Sequence, residues 1–292
     1  MCHPKHWVAA VRMKTLVASV APVLVGASLP ANAYVQLQIL PLLGCIFFAV
    51  FLQIGTNFAN DYYDFLRGAD QDRKLGPKRF VAAGIISSKS MYVAYRIAFL
   101  LAFLIGVFTC WVAGVSLWFF PFGILCIFCG YLYTGGPIPL AYNGLGDIFV
   151  VLFFGFGAVE GTNILMSQAH NLDWIPSYST SLAIGLLINN LLVVNNYRDF
   201  DTDLLSRKRT LVTLLGKNVG LLLYFFGFFV PTIICPMFAK DAQSYWLCFL
   251  VGVFCLYKLV KARRKEDFNL CLSLSAILVA IYAFRIVSAN LP

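Results

Sequence analysis

The feature that most constrains the fold of this chain is a series of long apolar runs separated by short polar connections. A run of about 20 apolar residues is long enough for an α-helix to cross the ~30 Å hydrocarbon core of a bilayer. We predict nine such spans, near residues 15–33, 37–60, 91–113, 117–135, 146–167, 179–197, 219–238, 244–261 and 269–289. The predicted fold is therefore all-α, a polytopic membrane protein whose residues 1–292 form one membrane-embedded domain of about nine transmembrane helices.

Composition favours a membrane protein over a soluble one. Hydrophobic residues make up 60% of the chain and charged residues only 12%, whereas about a quarter of the residues in typical soluble domains are charged. No soluble linker of domain size interrupts the apolar runs. The lipid bilayer is therefore the predicted environment, and the sequence indicates no obligate protein partner.

The net charge of +9 would also suit a nucleic-acid-binding protein, so the placement of the basic residues matters. All but two of the 22 lysines and arginines fall into four groups, at residues 5–14, 67–96, 198–217 and 258–265. With nine spans these groups share one face, which the positive-inside rule makes cytoplasmic. We therefore predict an integral protein of a bacterial-type inner (plasma) membrane, with its N-terminus inside, its C-terminus outside and no nucleic-acid partner.

The first 33 residues are similar to a secretory signal peptide. Lys5, Arg12 and Lys14 precede an apolar run that ends in Ala31-Asn32-Ala33, as at a signal cleavage site. Removal of this segment would leave an even number of spans. We therefore expect it to be retained as the first helix.

A cluster of acids and carboxamides ends the second apolar run. Asn57, Asn60 or Asp61, and Asp64 follow one another at helical spacing, so they share one face of a continuing helix, and Asp70 follows. A solvated helix end would explain the outer acid but not the amides a turn or two deeper. Polar groups at that depth cost several kcal/mol unless they are paired. We interpret this face as functional.

A second cluster ends the sixth apolar run and repeats the pattern. Asn195, Asp199 and Asp203 share a face at four-residue spacing, beside Asn196 and Arg198. The asparagines begin inside the span, which a merely solvated run of charges would not require. We predict that the two clusters form one site that faces the cytoplasm.

Two acidic helix ends repel each other unless cations lie between them. Mg²⁺ is suited to this role, because it binds carboxylate and phosphate oxygens and keeps several waters. Basic residues nearby, among them Lys74, Arg79 and Lys208, could be counter-charges of the acids or could bind an anion such as phosphate. Together these features indicate a Mg²⁺-bridged diphosphate, on an amphiphilic substrate with a hydrocarbon tail.

Two further features have alternative interpretations. Tyr133 and Tyr142 lie in a connection without basic residues, where they could belong to the interfacial aromatic belt or to the site. Glu160 and Asn163 lie within the fifth run, where an acid is a functional candidate by default. A hydrogen-bonded structural role is as plausible for this pair.

Several motifs in this order resemble those of the UbiA superfamily of intramembrane aromatic prenyltransferases. The likeness covers nearly the whole chain and rests on Arg12-Met13-Lys14-Thr15-Leu16, Asn60-Asp61-x-x-Asp64, Arg79 to Gly84, Gly144-Leu145-Gly146-Asp147 and Asp199-x-x-x-Asp203 with Lys208-Arg209-Thr210-Leu211. The commoner pattern has a third aspartate where this chain has Gly68, with Asp70 two positions later. That shift resembles the menaquinone branch of the family, which prenylates 1,4-dihydroxy-2-naphthoate. Arg79-Phe80 also departs from the usual Arg-Pro.

The resemblance implies a UbiA-like bundle and a Mg²⁺-dependent enzyme. It implies that a polyprenyl group passes from a polyprenyl diphosphate to 1,4-dihydroxy-2-naphthoate, with loss of the carboxylate, giving demethylmenaquinone in its reduced, quinol form. Metal-binding catalytic roles are implied for Asp61, Asp64, Asp199 and Asp203. Substrate-binding roles are expected for Asn57, Asn60, Asp70, Lys74, Arg79, Tyr133, Tyr142, Asn195, Asn196, Arg198 and Lys208.

Other functions remain possible from the sequence alone. Within the family, the acceptor could be 4-hydroxybenzoate, another naphthoate or a haem precursor. An ion-coupled transporter would place its acids near the midplane, which only Glu160 and Asn163 would fit. A CDP-alcohol phosphotransferase would carry an Asp-Gly-x-x-Ala-Arg signature, which is missing.

Overall fold

The computed structural model describes residues 3–30, 38–69, 75–76, 79–235 and 245–290. Within these ranges the chain is helical and forms no strand. The helices are α1 Pro4–Val11, α2 Met13–Ser28, α3 Ile39–Leu66, α4 Ser88–Val112, α5 Phe120–Leu132, α6 Gly146–Ala169, α7 Tyr178–Arg198, α8 Phe200–Leu205, α9 Leu211–Leu215, α10 Lys217–Phe229, α11 Trp246–Lys261 and α12 Lys265–Asn290. The all-α fold predicted from the sequence is confirmed.

Each predicted span overlaps one of these helices, but the helices differ in length. Five described helices are long and apolar enough to cross a membrane, and these are α3, α4, α6, α7 and α12. A sixth span results if α1 and α2, which meet at an angle of 48°, are taken together. The 13 residues of α5 reach only about 20 Å at 1.5 Å per residue. The protein is therefore an integral membrane protein, while the count of nine spans stays a prediction.

Close approach of helices places the site residues of α6 and α7. A Cβ built on Gly185 of α7 would lie 2.8 Å from the carbonyl oxygen of Val151 and 3.1 Å from Cα of Gly155, both on α6. The facing part of α6 is wound as a wider π-helix from Val151 to Glu160. Glycine lets the two backbones touch here, since no larger residue leaves room.

Glu160, a buried acid of α6, has a structural role. Oε1 of Glu160 accepts hydrogen bonds from the backbone N–H of Ser177 (2.9 Å) and Oγ of Ser181 (2.7 Å). Its Oε2 accepts from Nε1 of Trp174 (3.0 Å) and Nδ2 of Asn163 (3.2 Å). Three of these four bonds hold the connection and the start of α7 against α6, as a satisfied buried carboxylate can. The geometry supports the structural interpretation of Glu160 and removes the feature that favoured a transporter.

Candidate active site

Asp64 lies near the end of α3 and is held by two distant parts of the chain. Its Oδ2 accepts a hydrogen bond from Nη2 of Arg79 at 2.8 Å, an ion pair in which both side chains are buried. Its Oδ1 accepts from the hydroxyl of Tyr142 at 2.7 Å. A charge-assisted pair of this length is strong, so Asp64 fastens both connections to the end of α3.

Asp61, one turn deeper on α3, has one engaged oxygen and one open oxygen. Oδ2 accepts a hydrogen bond from the backbone N–H of Phe80 at 3.1 Å. A proline at that position could not donate this bond, so the departure from Arg-Pro at Arg79-Phe80 has a structural consequence. Oδ1 is buried and has no hydrogen-bond partner among the described residues. Arg12 lies within electrostatic range of this carboxylate.

The second cluster lies where α7 gives way to α8. Arg198 donates to Asp199 through Nε (2.8 Å) and Nη2 (2.7 Å), a buried bidentate pair. Nζ of Lys208 lies 3.6 Å from Oδ1 of Asp203. The backbone N–H of Asp203 donates to the carbonyl of Asp199 (2.8 Å), and that of Asp199 donates to Asn195 (2.9 Å). The helical spacing predicted for the three residues therefore persists across the break at Asp199.

The two clusters meet around two tyrosines. Tyr142 donates to Asp64, and its ring lies 5.7 Å from the ammonium of Lys208, which pairs with Asp203. Asp64 and Asp203 also both lie within electrostatic range of Tyr133. The structure therefore brings together acids that lie about 140 residues apart in sequence, as predicted.

An apolar cavity of about 310 Å³ adjoins this site. Asn60, Tyr133 and Asn195 line it, together with aliphatic and aromatic side chains of α2 to α7. Asn60 directly precedes Asp61, and Asn195 lies one turn before Asp199. The cavity therefore ends against the deep side of the acidic site.

The remaining predicted site residues fall into three situations. Asn57 is engaged within the protein, because its Nδ2 donates to the carbonyl of Val11 (2.9 Å) and to Oγ1 of Thr15 (3.0 Å). Asn196 is buried and lies beside Asp147 and Lys208 at a small second cavity. Asp70 and Lys74, which we predicted to bind substrate, lie outside the described residues.

The sequence interpretation missed a basic residue and a buried acid. Arg67, counted there only as a loop charge, donates to the backbone carbonyls of Thr134 and Gly136. Its guanidinium also lies 5.0 Å from the ring centroid of Tyr142. Asp147, quoted there only within a motif, is buried and accepts a hydrogen bond from Nδ2 of Asn189 at 3.1 Å. None of these contacts of Arg67 and Asp147 has a local sequence signal, because each contact joins distant segments of the chain.

The donor set suits a divalent cation held together with a substrate. Among the described residues, no three histidine, cysteine or acidic side chains form a ready-made metal site. The open, buried Oδ1 of Asp61 nevertheless leaves a carboxylate oxygen without a partner in the described part of the chain. Mg²⁺ is commonly bound by one or two carboxylates plus phosphate oxygens and water. The residues present therefore fit a metal that arrives with a phosphorylated ligand.

Comparison with known proteins agrees with this geometry. One family model, described as the UbiA prenyltransferase family, matches residues 19–283. The chain belongs to the UbiA prenyltransferase family. It is accordingly an aromatic prenyltransferase embedded in a membrane.

Curated relatives within the UbiA family carry a more specific name. The chain is 37% identical over 219 residues to the 1,4-dihydroxy-2-naphthoate octaprenyltransferase of Mycobacterium tuberculosis, covering 75% of this chain and 73% of that protein. The enzyme of the same name from Bacillus subtilis is 32% identical over 237 residues, covering 81% and 74%.

A solved UbiA structure shares the fold. The UbiA homologue from Archaeoglobus fulgidus, determined bound to GPP and Mg²⁺, superimposes with a TM-score of 0.63 at 15% identity and covers 97% of this chain and 99% of that one. At this identity the likeness establishes the UbiA-like fold predicted from the sequence.

Proposed function

We propose that this chain transfers a polyprenyl group from a polyprenyl diphosphate to 1,4-dihydroxy-2-naphthoate in menaquinone biosynthesis. One observation carries the proposal: two acidic clusters meet through Tyr142 at the end of an apolar cavity. That arrangement suits a substrate with a diphosphate head and a hydrocarbon tail. The names of the Mycobacterium and Bacillus relatives support the choice of acceptor.

The charged head of the donor would bind between the clusters. Asp61, Asp64, Asp199 and Asp203 would hold Mg²⁺ ions on the diphosphate, in agreement with the GPP and Mg²⁺ in the Archaeoglobus homologue. Bound there, the metal would supply positive charge that stabilises the leaving diphosphate. Basic side chains would stabilise the negative charge of the same diphosphate oxygens. These are Arg79, Arg198 and Lys208.

The cavity protects the reactive part of the donor. The bond between the first prenyl carbon and the diphosphate oxygen breaks, and both electrons leave with the diphosphate. The allylic cation that remains lies among apolar side chains of α2 to α7, which exclude water. The electron-rich acceptor ring then forms a carbon–carbon bond to the cation, and its carboxylate leaves as carbon dioxide.

The placement of basic residues supports an active site at the cytoplasmic face. Arg79, Arg198 and Lys208 each pair with a site acid, and they belong to the basic groups that the positive-inside rule places in the cytoplasm. We propose accordingly that the N-terminus lies inside and the C-terminus outside. Helices from both ends of the chain pack together, since Lys14 on α2 bonds Ser273 on α12, which supports one membrane-embedded domain.

The test is prenyl transfer by membranes that contain the chain, measured with Asp61→Asn and Asp199→Asn. We expect turnover of a polyprenyl diphosphate with 1,4-dihydroxy-2-naphthoate to fall by about 100-fold or more, because a charge-stabilising group is lost. Asp201→Asn is the matched control. Its side chain is 79% exposed and pairs only with Lys217 at the surface among the described contacts, so turnover should change less than about twofold.

The acceptor is tested in the same assay. Parallel reactions contain 4-hydroxybenzoate in place of the naphthoate. Faster turnover of 4-hydroxybenzoate would overturn the choice of acceptor, and full activity of Asp61→Asn would overturn the proposed site.

A further inference from the structure

The polar and apolar side chains of the large cavity are unevenly distributed. Its walls from α5 and α6 present mainly aliphatic and aromatic groups such as Ile127, Phe149 and Phe153. Most of its polar groups lie on α2 and α3 or at their cytoplasmic ends; they are Arg12, Thr15, Ser19, Gln53, Thr56, Asn57 and Asn60. A prenyl tail needs only the apolar wall. The polar wall is therefore suited to a second, polar ligand.

A chain of hydrogen bonds fixes the orientation of Gln53. The carbonyl of Val11 can only accept, so Asn57 must turn its Nδ2 towards it (2.9 Å). Oδ1 of Asn57 therefore faces Gln53, and this oxygen accepts from Nε2 of Gln53 at 3.2 Å. The carboxamide of Gln53, a residue that lines the cavity, is thereby held with Oε1 as an acceptor that has no partner among the described residues. This oxygen is suited to a hydroxyl donor.

A positive charge lies on the same wall. Arg12 is the only lysine or arginine among the described residues that line the cavity. It occupies the bend between α1 and α2 with a left-handed φ of 58°, and it lies within electrostatic range of Asp61. Its guanidinium is suited to a planar carboxylate.

We infer that the aromatic acid binds along this polar wall, with a ring hydroxyl donating to Oε1 of Gln53 and the carboxylate facing Arg12. The inference rests on the proposed function and assigns the residue that distinguishes a dihydroxylated acceptor. Gln53 lies two turns deeper than Asn60, about 10 Å along the helix. The ring is thereby held inside the same cavity in which the prenyl cation forms.

The experiment is a paired comparison of residue and substrate. Gln53→Leu removes the acceptor oxygen and keeps the approximate volume. It should raise the KM for 1,4-dihydroxy-2-naphthoate by about tenfold, the loss of one good hydrogen bond, and leave the donor KM unchanged. The second acid is 1-hydroxy-2-naphthoate, used as a competitive inhibitor. The wild type should bind the dihydroxy acid more tightly, and Gln53→Leu should bind the two acids alike.

Thr56→Val is the matched control. Thr56 lies on the same helix and cavity, but its Oγ1 already donates to the carbonyl of Leu52 at 2.9 Å. This variant should retain the wild-type preference between the two acids. An unaltered preference in Gln53→Leu, or an effect on the donor KM instead, would overturn the inference. Inactivity of the wild type towards the naphthoate would contradict the proposed function itself, so the two failures are distinguishable.

Discussion

At the scale of single residues, Tyr142 depends on Arg67 for its place in the site. Tyr142 donates to Asp64, and its ring packs beside the guanidinium of Arg67 at 5.0 Å. Arg67 also ties the connection after α5 to the end of α3 through the carbonyls of Thr134 and Gly136. Arg67 is therefore a positioning residue, since it acts on the reaction through Tyr142.

Arg67→Gln should weaken donor binding more than it weakens the fold. Loss of the carbonyl contacts releases Tyr142 from Asp64, so we expect the donor KM to rise roughly tenfold. The acceptor KM should change little. Arg67→Lys should recover part of the effect, because an ammonium restores the charge but not the planar fork. Steady-state kinetics with each substrate varied separately measures this split.

Arg96→Gln is the control for this prediction. Arg96 is exposed, and its guanidinium lies 4.1 Å from the ring of Tyr92, so it shares the cation–π contact of Arg67 without the described site contacts. Its kinetics should match the wild type. Equal effects of the two substitutions would argue against a specific role for Arg67.

At the scale of elements, the contact between α6 and α7 determines where Asn189 of α7 lies. Its buried carboxamide is placed against the start of α6. Gly185 lies against Val151 and Gly155, and one turn further Asn189 donates to Asp147 at 3.1 Å. Because a Cβ on Gly185 would lie only 2.8 Å from a backbone oxygen, the helices cannot accommodate a larger side chain without separating.

Gly185→Leu should therefore lower thermal stability. The substitution overpacks a backbone contact, which costs about 1–3 kcal/mol or more. Thermal unfolding of the purified protein in detergent measures the loss. The comparison variant is Gly123→Ala on α5, where an added Cβ meets nothing within 4 Å, and its melting temperature should stay unchanged. Equal stability of both variants would contradict the packing argument.

At the scale of the whole molecule, each of the four aspartates predicted to bind metal already has a partner from the protein. Asp64 pairs with Arg79, Asp199 with Arg198 and Asp203 with Lys208, while Asp61 accepts from a backbone N–H. A cation alone would compete with these bases, and an anion alone would compete with these acids. A metal–diphosphate unit satisfies both sets of charges together.

Mg²⁺ and a short prenyl diphosphate should therefore stabilise the protein only in combination. At saturating concentrations the pair should raise the melting temperature by roughly 5 °C, whereas each alone should have little effect. Geranyl diphosphate with and without Mg²⁺ makes the comparison, and Asp61→Asn should abolish the combined shift. A full shift with Mg²⁺ alone would indicate a preformed metal site instead.

Local sequence determined the membrane class, the positions of the helices and the two acidic clusters. Hydropathy over 20 residues selects a membrane helix, and spacing along one helix decides which residues share a face. For the same reason the grouping of Asp61 with Asp64, and of Asp199 with Asp203, could be predicted. The predicted count of nine spans exceeds the count of long helices because α5, α10 and α11, with 13, 13 and 16 residues, are shorter than a full membrane span.

Tertiary structure alone decided how the local features are used. The meeting of Asp64 with Tyr142, the bonds on Glu160 and the orientation of Gln53 each depend on contacts between separate segments of the chain. Hydrogen bonds between distant segments leave no periodic signal in the sequence. Only the packed bundle, whose buried polar groups must find partners, distinguishes a structural acid from a functional one.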